Sequence, residues 1–135
     1  MAFPNYKYKP ANATNDPEYP NDSDWAIEQI QLPEAWNIAT NTTTVNVGII
    51  DSGIQGNHED LTNVVNRTLS KDFTGGNSPL TDEHGHGTAV AGVVGAKANN
   101  SIGIAGTCDN VSLVSLKAGV IDSNGDCSIF CWSSC

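Results

Sequence analysis

Val45-Asn46-Val47-Gly48-Ile49-Ile50-Asp51-Ser52-Gly53 is the stretch on which the fold turns. Val45 to Ile50 is nearly continuous in apolar, β-branched residues. Such a run predicts a short strand covered on both faces, the form strands take in a parallel sheet between helices. An acid closes it, and Gly53 two residues on lets the chain turn away sharply. Open parallel sheets bind ligands beyond the carboxyl ends of their strands. Asp51 stands at such an end.

Working outward, Asp82-Glu83-His84-Gly85-His86-Gly87-Thr88-Ala89-Val90-Ala91-Gly92 opens a run of small residues reaching Ala96. It predicts a helix over 86–96 that packs closely, because few large side chains hold it off. His86 opens that helix, and Gly85 and Gly87 keep bulk away from its ring. Val111 to Lys117 predicts a second strand, and Leu61 to Leu69 a weaker one. Strand, helix, strand in this order makes a βαβ unit, so the fold class is α/β with a mostly parallel sheet. Upstream, Asp24 can cap a helix over Trp25 to Ile30, and Pro33 can open another over 33–37. Residues 1–24, rich in Pro, Asn, Asp and Tyr without a period, read as an irregular arm.

The chain has 135 residues, 39% of them hydrophobic and 16% charged, which fits one globular domain and not disorder. Its net charge of −9 would repel a nucleic-acid backbone, so no nucleic-acid partner is expected. No apolar run approaches a membrane span. Met1-Ala2-Phe3-Pro4-Asn5-Tyr6-Lys7 lacks the apolar core of a signal peptide, so none is expected within this chain. Cys108, Cys127, Cys131 and Cys135 match no usual zinc spacing. Disulfides and unpaired thiols both remain open, with no connectivity assigned.

A carboxylate and an imidazole on facing elements suit one chemistry in particular. A serine hydroxyl is a weak nucleophile until an imidazole takes its proton. A carboxylate on the far ring nitrogen fixes the tautomer and stabilises the imidazolium. Taken singly, Asp51 reads equally as a turn acid and His86 as a capping residue. Together, 35 positions apart and in this order, the two motifs are far more specific.

They resemble the subtilisin-like serine proteases, the subtilases, and most closely the thermitase-like bacterial members. The likeness covers about residues 15 to 126, including Asn57-His58-Glu59-Asp60-Leu61 and Asn99-Asn100-Ser101-Ile102-Gly103-Ile104-Ala105-Gly106. It implies a three-layer α/β/α fold present in its N-terminal half: arm 1–24, partial catalytic domain 25–126, and a Cys-rich tail 127–135. It assigns Asp51 as orienting acid and His86 as general base of a serine endopeptidase, with His84 on the rim. Gly125, Asp126 and Cys127 would lie on an edge strand that pairs with an extended protein or peptide substrate. Ala89 departs from the second histidine or cysteine that many members carry, at a packing position.

The resemblance further implies a structural calcium ion. Asp16, Asp60 and the Asn100 side chain would hold it, with carbonyls of the 97–104 loop that include Ile102 and Ile104. The parent family is secreted. No serine of this sequence stands in the Gly-Thr-Ser-x-Ala setting of the family's nucleophile, and the oxyanion asparagine has no counterpart. The expectation is a fragment that is inactive alone and whose partner would be the remaining half of the domain. A non-catalytic, calcium-stabilised binding or regulatory module is the alternative. A metal enzyme built on His84, His86 and Cys108 is the least favoured reading, because His-x-His does not supply a tetrahedral set.

Overall fold

The structure is a computed structural model that describes residues 14–19, 25–38, 43–121, 124 and 127–129. The long apolar runs form its sheet. Strand β1 (Val45–Asp51) pairs in parallel with β3 (Val111–Lys117), which pairs in parallel with the short β2 (Lys71–Asp72). The order β1-β3-β2 puts β3 at the centre. Accordingly Leu113 and Ser115 are fully buried. Helix α3 (His86–Gly95) precedes β3 in the chain and packs against both β1 and β3.

Small residues in α3 let it approach that closely. A methyl group on Gly95 would collide with Val111, and one on Gly87 with the carbonyl of Gly53. The core gathers Ile49 and Leu113 from the sheet, Ala91 from α3, and Ile54, Leu61, Val64 and Val65 from the intervening chain. Upstream lie α1 (Trp25–Gln29) and α2 (Leu32–Ile38). Trp36 ties α2 to the turn after α3 by donating its indole N–H to the Thr107 carbonyl at 2.9 Å. Strands β4 (Gly119–Ile121) and β5 (Cys127–Ile129) form a separate antiparallel pair.

Two expectations are corrected. Among the described residues β1 is not covered on both faces: Asn46, Gly48 and Ile50, which share one face, are all exposed, Ile50 at 62%. Among the described residues, α3 covers one face of β1 and no helix layer covers the other. The second correction concerns 61–69, which is not a strand. Leu61, Val64 and Val65 sit at i, i+3 and i+4, a helical spacing. The chain turns there with Val64 N–H bonded to the Leu61 carbonyl at 3.0 Å, and Val65 makes only an isolated bridge to Leu113.

Candidate active site

Asp51 is the last residue of β1, so the pairing with β3 fixes its backbone, and Ala118 N–H donates to the Asp51 carbonyl at 2.9 Å. His86 is the first residue of α3. The close helix approach delivers its Nδ1 to the Asp51 carboxylate, 2.9 Å from each oxygen. An ionised carboxylate has no proton to give, so Nδ1 must carry the shared one. In the neutral ring that leaves the lone pair on Nε2. Asp51 is buried, whereas 61% of the His86 side chain remains exposed. Burial would raise the Asp51 carboxyl, but the Ser52 backbone N–H and the His86 ring bond to it. Together with the imidazolium charge they hold it below the usual carboxylate range.

The two motifs mark this pair and do not mark its supports. Ser52, 2% exposed, donates its hydroxyl to Asp82 at 2.7 Å and accepts the Gly87 N–H at 3.0 Å. Asp82 also accepts the N–H groups of His84, Gly85 and Thr88 and the Thr88 hydroxyl. Gly85 itself sits at φ 88° and gives no side-chain cap to α3. Asp82 caps the helix from three residues further back. Burial raises the Asp82 carboxyl, and this set of hydrogen bonds outweighs it and lowers the group overall. An acid shortly before a helix is a recognisable cap signal. Its bond to Ser52, 30 positions away, is not written in any local pattern.

Gly85 and Gly87 also differ from their expected common role. A methyl group on Gly85 would meet open space, so it is the left-handed backbone that calls for glycine there. Gly87 alone is placed by crowding, 3.0 Å from the Asp51 Cβ on the same measure. Lys117 is a further support. Buried at the end of β3 opposite Asp51, it donates to the Thr81 carbonyl at 3.1 Å and to Glu83 at 2.6 Å.

A second cluster lies around residues 98–104. Asp16 is 1% exposed and accepts N–H bonds from Asn99 at 2.9 Å and Asn100 at 3.1 Å. Asp60 is 3% exposed and accepts the Asn100 side-chain amide at 2.7 Å and the Ile104 N–H at 3.0 Å. The Asn100 oxygen accepts the Ile102 N–H at 2.8 Å. Asp16, Asp60, Asn100, Ile102 and Ile104 are therefore neighbours. Asn99, Ser101 and Gly103 all take positive φ. For two of them that is an uncommon conformation.

Of the expected substrate strand, Cys127 opens β5 opposite Ile121, and Gly125 and Asp126 lie outside the described residues. His84, His86 and Cys108 do not converge. Cys108 N–H bonds to the Val94 carbonyl near the far end of α3. Among the described residues no three His, Cys, Asp or Glu side chains gather as a metal cage.

Comparison with known proteins places this geometry in context. The profile of the Subtilase family (Peptidase_S8) matches residues 42–130. Thermitase of Thermoactinomyces vulgaris is 38% identical over 111 residues, which are 82% of this chain and 38% of thermitase. The minor extracellular protease Epr of Bacillus subtilis is 35% identical over 105 residues, covering 78% of this chain and 15% of its own. Among solved structures, MycP1 from the ESX-1 type VII secretion system aligns with a TM-score of 0.54 at 28% identity. That alignment covers 68% of this chain and 23% of MycP1. The chain spans well under half the length of the relatives it matches.

Proposed function

The chain belongs to the subtilase family, and on that footing we propose that it supplies the acid and base of a subtilisin-like serine endopeptidase. The observation that carries the reading is the buried Asp51 carboxylate, 2.9 Å from the Nδ1 of an exposed imidazole. Asp51 holds His86 in the tautomer whose Nε2 can accept a proton. When a serine hydroxyl attacks a peptide carbonyl, Nε2 takes its proton, and Asp51 stabilises the imidazolium that forms. His86 then gives that proton to the departing amine, leaving an acyl-enzyme for water to hydrolyse.

The nucleophile and the oxyanion donor would come from polypeptide equivalent to what the relatives have beyond the matched region. Without them the 135 residues bind and orient a base that has no hydroxyl to activate. Losing a triad nucleophile costs roughly a factor of 10⁶ in rate, so the chain alone is inactive. Protein or peptide substrates, and secretion like that of the extracellular protease Epr, belong to this same reading.

Calcium is proposed as a structural ion. Asp16 and Asp60 are buried carboxylates, joined through Asn100 and without a Lys or Arg partner among the described residues. An oxygen-only donor set suits a hard cation. Asp16, Asp60, the Asn100 side chain and the carbonyls of Ile102 and Ile104 would hold it. The ion would neutralise the two acids and fasten residues 14–19 to the 98–104 loop.

A fusion tests the catalytic reading. The 135 residues are joined to the part of thermitase that they do not span, and the product is treated with a fluorophosphonate and a peptide substrate. The fusion is expected to label and to hydrolyse, the chain alone to do neither, and His86→Ala to abolish both in the fusion. A folded fusion whose activity survives His86→Ala overturns the assignment.

A further inference from the structure

We propose that His84 and His86 form a binding site for a borderline divalent transition cation (Zn²⁺, Cu²⁺ or Ni²⁺) that closes off the outward nitrogen of His86. The site itself rests on geometry alone; its inhibitory consequence rests on the catalytic reading above.

Gly85 creates the juxtaposition. Its left-handed backbone, φ 88° and ψ −14°, folds the residues on either side towards one another. The two rings stand edge to face with centroids 6.2 Å apart, and both side chains are exposed. With metal–nitrogen bonds of about 2.0–2.1 Å, two imidazoles on one ion hold their centroids within roughly 6.5 Å. The observed separation lies inside that limit. The His84 ring is exposed, so packing does not hold it away from a shared ion.

One of the two ligands is already prepared. Metal-bound histidines commonly give their other ring N–H to a carboxylate, which fixes the tautomer and raises the basicity of the ligating nitrogen. Asp51 does this to His86 through Nδ1 at 2.9 Å from both carboxylate oxygens. Nε2 keeps its lone pair and makes no hydrogen bond among the described residues. The charge around the rings also favours a cation. Asp51, Asp82 and Glu83 are close by in the fold or the chain. Lys117, opposite Asp51 in the sheet, is engaged with Glu83 at 2.6 Å.

Ligand type selects the metal. Imidazole nitrogen suits zinc, copper and nickel, whereas calcium and magnesium prefer oxygen. No third protein ligand joins the pair among the described residues, so water completes the shell. A bound ion would occupy the electron pair that must receive the nucleophile's proton. A general base would thereby become a metal ligand, and the site would be switched off reversibly.

The test uses the 135-residue chain with its four cysteines alkylated, so that thiolates do not compete. Zn²⁺ is titrated while the imidazole resonances of His58, His84 and His86 are followed. The expected result is a single equivalent that shifts His84 and His86 and leaves His58 unmoved. His84→Ala should weaken that binding about tenfold or more. His84→Gln should match it, with both far-ultraviolet dichroism spectra unchanged. Binding that is equally tight in both variants overturns the proposal, and so does the absence of saturable binding at millimolar Zn²⁺. An inactive fusion protein would leave all of these outcomes standing.

Discussion

At Asp82 two carboxylate oxygens accept five hydrogen bonds, from Ser52, His84, Gly85 and twice from Thr88. That one side chain fastens the start of α3, and so His86, to the residue beside Asp51. Hydrogen bonds to a charged group contribute about 1.5–3 kcal/mol, which makes Asp82→Asn destabilising at neutral pH by an amount of that order. The pH dependence has a definite sign. The folded-state carboxyl of Asp82 is lowered, so its contribution is complete above the unfolded value of about 3.9 and disappears as pH falls through the folded value. The stability gap between wild type and Asp82→Asn should therefore narrow below about pH 4. Urea unfolding from pH 7 to pH 2 measures it. A gap that stays constant would mean that the carboxylate charge plays no part.

The pair Asp51 and His86 was legible because each lies in a local motif, an acid ending an apolar strand and a histidine opening a small-residue helix. Ser52 and Lys117 were not. Their partners are 30 and 34 positions away, and only the folded sheet brings them together. Elements showed the same division. β3 was read with its observed limits because Val111 to Lys117 forms a continuous strand pattern at the centre of the sheet. The stretch 61–69 misled because its apolar residues are few, and their i, i+3, i+4 spacing belongs to a turn. The 98–104 loop carries the next prediction. Positive φ at Asn99 and Ser101 costs conformational energy, and the buried carboxylates of Asp16 and Asp60 are both bonded to Asn100. The calcium ion proposed above would offset that cost and balance both carboxylates. Excess chelator should lower Tm by several degrees, as about 1 kcal/mol shifts Tm by 4–8 °C in a domain this small. Asp16→Ala should lose that sensitivity. A wild-type Tm indifferent to chelator would remove calcium from the account.

At the scale of the molecule, β1 is the element whose sequence and surroundings disagree. Its residues are those of a covered central strand, yet among the described residues it pairs on one side only and leaves Ile50 at 62% exposure. An exposed apolar edge strand is a template for pairing with another chain. Against this stands the net charge of −9, which keeps copies apart at low ionic strength. The balance decides a measurable outcome. Salt shortens the reach of charge repulsion to about 8 Å at 0.15 M, and leaves apolar burial intact. The 135-residue chain should therefore associate more strongly as salt is raised, the reverse of what ion pairing between copies would give. Ile50→Lys puts a charge on the exposed face without touching the α3 side of the sheet. It should shift the association to higher protein concentration at every salt. Sedimentation velocity over a range of salt and protein concentrations follows both effects. Association that weakens with salt, or that ignores Ile50→Lys, would show that the uncovered face of β1 is not what the copies share.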